Sequence, residues 1–181
     1  ALLETAYCDE DGNITFATDL PVGVSVYVKE IHTDCHYVLN EDSFHVVFDY
    51  AGQETDTVRK TVNNGEEIEN KILRGSVLGK KIDEDGFNIC GALFGLFRAD
   101  ATEFTEETAI FTCESNEIGV FLFENVPYGK YIVREIKAAP AFVLNENNFD
   151  VVIDEDGEIV ELVIENKFIV GSVQTIKVDK D

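Results

Sequence analysis

The chain repeats itself, and a repeat constrains a fold more than any single motif, because each copy must bury the same face in the same way. Cys8 and Cys113 stand 105 residues apart, and Phe16/Phe121, Glu30/Glu135, Leu39-Asn40/Leu144-Asn145 and Phe44/Phe149 share that offset. VYVKEI ending at Ile31 matches YIVREI ending at Ile136, and Leu20-Pro21-Val22-Gly23 matches Val126-Pro127-Tyr128-Gly129. Further along the offset falls to 96. There Ile68-Glu69-Asn70-Lys71 matches Ile164-Glu165-Asn166-Lys167, Gly75-Ser76-Val77 matches Gly171-Ser172-Val173, and Lys81-Ile82-Asp83 matches Lys177-Val178-Asp179. The difference falls in 51–67, which is expected to be a longer hairpin in the first copy. The phase gives a complete repeat at 75–170, an incomplete one at 1–74 lacking its opening strands, and the first strand of a further repeat at 171–181. With no methionine in 181 residues, the chain reads as a mature product or an excised piece of a tandem array.

The apolar runs are built from Val, Ile, Phe and Thr, which favour strands. No segment of helical length keeps a clean 3.6-residue period; 101–111 is expected to be a loop or a single helical turn. Asp11-Gly12, Asn64-Gly65, Asp85-Gly86 and Asp156-Gly157 are tight-turn dipeptides between alternating segments. The expected fold is all-β, a tandem of β-sandwiches. The net charge of −22 repels nucleic acid and anionic membrane surfaces. No apolar run is long enough to span a bilayer as a helix.

Strand alternation puts three polar residues on apolar faces. In Tyr131-Ile132-Val133-Arg134-Glu135, Arg134 points to water and Glu135 shares the face of Tyr131 and Val133. Asn166 points inward with Leu162 and Ile164, and Lys81 lies on the face of Val77. The first copy repeats the pattern with Glu30 and Asn70, and the tail repeats it with Lys177. A lone buried Lys or Glu is costly. One reading is a satisfied Lys–Glu ion pair bridged by Asn, or edge positions whose faces are otherwise. The sharper reading is chemical. Burial lowers an amine's pKa and raises a carboxyl's, so the amine becomes a nucleophile and the acid can polarise the amide and carry protons to departing ammonia. The product is a Lys–Asn isopeptide bond between the first and last strands of one domain.

At these residues the chain resembles the Cna protein B-type, prealbumin-like repeats of Gram-positive pilins and surface adhesins. The resemblance rests on Gly75-Ser76-Val77 through Lys81-Ile82-Asp83, on Gly91-Ala92-Leu93-Phe94-Gly95-Leu96-Phe97, on Gly129-Lys130-Tyr131 to Glu135, on the Ala139-Pro140 and Phe142 corner, and on Asn166 in the closing strand. It implies an Ig-like or prealbumin-like sandwich, with Lys81 as nucleophile, Asn166 as acceptor and Glu135 as proton shuttle. Glu30, Asn70 and Lys177 are then parts of incomplete sites. Two departures stand out. Gly79 replaces the usual apolar residue two before the lysine, and 32–36 replaces the Ala-Pro corner in the first copy.

Other signals are weaker. The four cysteines fit either disulfides, with Cys90–Cys113 and Cys8–Cys35 as one arrangement, or free buried thiols. His32, Cys35 and His36, with His45, have zinc-ligand chemistry; an exposed corner loop is the competing reading, and no metal or cofactor is expected. A Cys35–His nucleophile has no other hydrolase feature beside it. The acidic turns at 9–11, 83–85 and 154–156 lack EF-hand spacing and read as hairpin turns. The expected function is a structural stalk module of a cell-wall-attached, extracellular pilin or adhesin, self-crosslinked once and not a turnover enzyme. Its expected partners are neighbouring repeats of the same polypeptide or pilus, with no nucleic acid and no membrane. The alternatives are a module binding host surface protein or glycan, and an accessory sandwich of a secreted enzyme.

Overall fold

A computed structural model describes residues 1–177 and 179 of the chain. The elements are β-strands and one short turn of 3-10 type. No helix among the described residues is long and apolar enough to cross a membrane. The chain divides into two compact units, Ala1–Thr33 with Leu39–Lys71, and Asp34–Val38 with Ile72–Asp181.

The first unit has two antiparallel strands, β1 (Ser25–Lys29) and β2 (Ser43–Val47), with Tyr27 stacked on His45 across the pair. Val46 is its buried hydrophobic residue among those described. The hairpin expected in 51–67 is not there. The segment carries no strand and turns at Val62–Gly65, where Asn63 and Asn64 take positive φ. Its polar run offers no alternating face to hold a second ladder.

The second unit is a sandwich. One sheet has the order β6 (Val120–Pro127), β3 (Arg74–Asp83), β9 (Ile159–Asn166). The other has the order β5 (Phe111–Glu114), β4 (Leu93–Arg98), β7 (Gly129–Lys137), β8 (Phe149–Ile153). Val77, Phe121, Phe123 and Ile164 from the first sheet join Phe94, Leu96, Val133, Val151 and Ile153 from the second in one buried cluster. Neighbouring strands are antiparallel except β3 and β9, which run parallel and place the first and last strands side by side. All four predicted turn dipeptides sit at turns with the glycine at positive φ. Asp83 closes one of them by accepting the Asp85 and Phe87 N–H groups at 3.0 and 2.8 Å. Between β4 and β5 the chain makes a tight turn, with Ala101 N–H on Arg98 O at 3.0 Å, and then one helix-like turn, with Ala109 N–H on Thr105 O at 3.1 Å.

Gly79 has a steric reason. A Cβ there would lie 1.9 Å from the Phe121 ring, which stacks on Phe94 at 3.9 Å between centroids. The ring fills the place an apolar side chain would take. Gly79→Val is therefore expected to destabilise the sandwich by about 1–3 kcal/mol through overpacking. A thermal melt checks this, and an unchanged Tm would contradict the packing argument.

The segment 171–177 is exposed and carries no strand, and Val178, Lys180 and Asp181 of the expected first strand of a further repeat lie outside the described residues. All four cysteines are free, with Cys8, Cys35 and Cys90 exposed and Cys113 half-buried. Neither the disulfide arrangement nor burial of the thiols holds. Alternation says nothing about loops, and Cys8, Cys35 and Cys90 lie outside the strands.

Candidate functional site

Three strands each contribute one polar side chain to a single buried cluster. Along β3 the inward positions are Gly75, Val77, Gly79, Lys81 and Asp83, so the period of two that buries Val77 also buries Lys81. On β7 Val133 and Glu135 are buried, while Arg134 faces outward to Asn148 at 3.1 Å and lies over Phe104. On β9 Ile164 and Asn166 are buried. Lys81, Glu135 and Asn166 are 0%, 1% and 2% exposed, which closes the cluster to any outside substrate.

The parallel register of β3 and β9 sets Lys81 opposite Ile164 and Asp83 opposite Asn166, so the lysine reaches diagonally to the asparagine. Lys81 Nζ lies 2.5 Å from Asn166 Oδ1, below the usual N–H···O range, and donates to Ile164 O at 3.4 Å. Its distance to Glu135 Oε1 is 3.6 Å. The Asn166 amide nitrogen donates to both Glu135 oxygens, at 2.8 and 2.9 Å. Every buried side-chain nitrogen and oxygen among the described residues has a partner. Burial pushes the Lys81 ammonium below its ordinary pKa; the charges of Glu135 and then Glu165 pull it back up, and burial prevails.

A plain ion pair would bring the ammonium onto the carboxylate. Here the amine sits closer to the amide, and the carboxyl sits against the nitrogen that acyl transfer would expel. Amine, amide and carboxyl thus stand in sequence, an order compatible with nucleophilic acyl transfer.

Asn145 is a contributor that residue-type reasoning missed. Its backbone N–H donates to Glu135 Oε2 at 2.7 Å and its side chain donates to Glu165 O at 2.9 Å, tying the acid to β9. The signal was present, since Leu39-Asn40 repeats Leu144-Asn145. The first unit shows the counterpart: Asn40 N–H on Glu30 Oε2 at 2.7 Å, and Asn70 Nδ2 on Glu30 Oε1 at 2.8 Å and on Thr33 Oγ1 at 2.7 Å. Glu30 and Asn70 are therefore paired and half-buried, whereas Lys177 is exposed and outside any strand.

The comparisons with known proteins agree with this fold. A family model described as SpaA, a prealbumin-like fold domain, matches residues 75–168. The chain is similar to the TIE protein of Bacillus anthracis, with 25% identity and a TM-score of 0.70 over 91% of this chain and 28% of that one. It thus spans well under a third of that protein's length. It is also similar, at a TM-score of 0.46 and 27% identity, to the major pilin subunit of Bacillus cereus, over 59% of this chain and 36% of that one. The minor pilin of Streptococcus agalactiae aligns at a TM-score of 0.45 and 20% identity over 97% of this chain and 71% of that one. No curated protein matches.

Proposed function

The chain belongs to the SpaA family of prealbumin-like domains, and from that premise we propose that it is a stalk module of a pilin or adhesin on the wall of a Gram-positive cell, locked by an isopeptide bond between Lys81 and Asn166. The observation that carries the proposal is the buried contact of the Lys81 amine with the Asn166 amide, with Glu135 on the amide nitrogen.

The step balances within the three side chains. Lys81 gives one proton to Glu135, leaving a neutral amine. The amine nitrogen bonds to Asn166 Cγ, and the carbonyl electron pair moves to Oδ1. The tetrahedral centre collapses, the Cγ–Nδ2 bond breaks, and Nδ2 takes a proton from Glu135 to leave as ammonia. The attacking nitrogen gives its surplus proton back to the carboxylate. An ammonium, a carboxylate and a primary amide become a secondary amide, ammonia and a protonated Glu135, and the departing ammonia takes that last proton as ammonium, which restores the carboxylate. The site reacts once on its own chain, so the module is a structural element and not a turnover enzyme.

The bond's value is mechanical. Pulling on a parallel pair formed by the first and last strands shears their ladder. A covalent link from β3 to β9 carries that tension past the segment between them. This suits a module strung between neighbouring repeats in a pilus or stalk. The Glu30–Asn70 pair is the acid and acceptor of a second such site, with Lys177 belonging to a third copy; Asn70 is expected to remain unreacted in this chain.

Intact mass under denaturing conditions tests the bond directly. A finer expectation concerns Asn145. Asn145→Ala keeps the backbone N–H on Glu135 but removes the anchor to Glu165 O and the Asn147 N–H contact at 3.0 Å. Crosslinking after refolding should slow roughly 10–100-fold, the scale seen when supporting partners of a site are lost, without being abolished. Wild-type kinetics would remove Asn145 from the mechanism.

A further inference from the structure

We propose that Asp34, Cys35 and His36 form a binding site for a zinc-class divalent cation, with Tyr128 as its supporting hydroxyl. The Asp34 carboxylate oxygen, the Cys35 sulfur and the His36 Nδ1 all lie within 4.8 Å of one another. Cys35 Sγ is 3.8 Å from His36 Nδ1. With metal–sulfur and metal–nitrogen bonds of about 2.3 and 2.0–2.1 Å, a tetrahedral zinc site has an S···N edge of about 3.6 Å. The pair is spaced for that edge with only a small inward movement.

The corner is held for the purpose by its backbone. Tyr37 bridges to Ile72, Leu73 N–H donates to His36 O at 2.9 Å, and Tyr37 N–H donates to Asp34 O at 3.1 Å. The His36 ring stands edge-on to Tyr128 at 4.4 Å, which fixes the face its Nδ1 presents. The Tyr128 hydroxyl lies 3.6 Å from Cys35 Sγ, where it can donate to a thiolate as a second-layer partner. Asp34 Oδ1 contacts both the His36 N–H, at 3.0 Å, and Nδ1. On binding, the cation takes the Nδ1 contact and the carboxylate turns to become the third ligand, leaving the fourth position to water.

The donor set selects the metal. One sulfur, one imidazole nitrogen and one carboxylate oxygen suit zinc, whereas calcium and magnesium take oxygen alone. All three residues are exposed, so the ion has an entry path, and a chain of net charge −22 draws cations towards it. Binding converts the Cys35 thiol to a thiolate and releases its proton to solvent. This set differs from the histidine-rich grouping weighed above, where no metal was expected: Asp34 takes the place of His32 and His45.

The test uses the full chain, reduced and freed of metal, titrated with cobalt(II) as a spectroscopic stand-in and with zinc(II) against a chromogenic chelator. The expected result is one equivalent bound, with a thiolate-to-cobalt charge-transfer band. That band should vanish in Cys35→Ser and persist in Cys8→Ser, Cys90→Ser and Cys113→Ser. His36→Ala should weaken zinc at least about tenfold, and Tyr128→Phe by less. Absence of the band, or a band that survives in Cys35→Ser, overturns the proposal.

Discussion

The intact chain, denatured and free of adducts, is expected to weigh one ammonia less than its sequence requires. Lys81→Ala, Glu135→Ala and Asn166→Ala should each show the full mass. A tryptic digest should yield one branched species joining the peptides that contain Lys81 and Asn166. The crosslink closes a loop across a sequence separation of 85 residues. By the chain-entropy model used for disulfides, that constraint stabilises the domain by about 4–5 kcal/mol, less any strain in the product. Equilibrium unfolding of Asn166→Ala against the crosslinked protein should show a loss of that size. At roughly 4–8 °C per kcal/mol for a domain of this length, the melting shift is tens of degrees. Full mass in the wild type would sink the isopeptide reading and leave a buried, satisfied ion pair.

How much of this was legible in the sequence depends on the kind of information each feature carries. Faces were legible, because alternation is a local property of a strand. It put Arg134 outside and Lys81, Glu135 and Asn166 inside, and the structure buries those three. That Gly79 makes room for the Phe121 ring was not legible, since it depends on which residue the opposing strand sets across from it. The role of Asn145 was half-legible. Its repeat partner Asn40 marked it, but its contribution is a backbone N–H, which no residue type advertises. Loops were the failure. The hairpin assigned to 51–67 came from length alone, and the cysteine pairings came from parity alone. Neither carries the tertiary information that decides them.

Removing different members of the cluster should separate its chemistry from its electrostatics. Both Asn166→Ala and Lys81→Ala abolish the bond, yet they leave different groups behind. In Asn166→Ala, Glu135 keeps Lys81 beside it and the Asn145 N–H on it. In Lys81→Ala, Glu135 stays 1% exposed without its cation. Stranding a buried charge in this way costs about 3–5 kcal/mol, so Lys81→Ala should be the less stable by that margin. Equal stabilities would mean that Glu135 is not held as the lysine's partner. The pH dependence of Asn166→Ala has a definite sign. Burial holds the unreacted Lys81 below its ordinary pKa. Between that depressed value and the unfolded value of about 10.4, the unfolded chain binds more protons than the native one. Stability must then rise with pH across this window, and the full penalty applies below it. In the crosslinked protein Nζ is an amide nitrogen and does not titrate, so the rise disappears. Urea melts over a pH series, with Asn166→Ala compared against the same variant carrying Lys81→Met, isolate the lysine's share. A slope that is flat or falling after that subtraction would show that burial does not dominate at Lys81, and the free amine on which the bond depends would lose its physical basis.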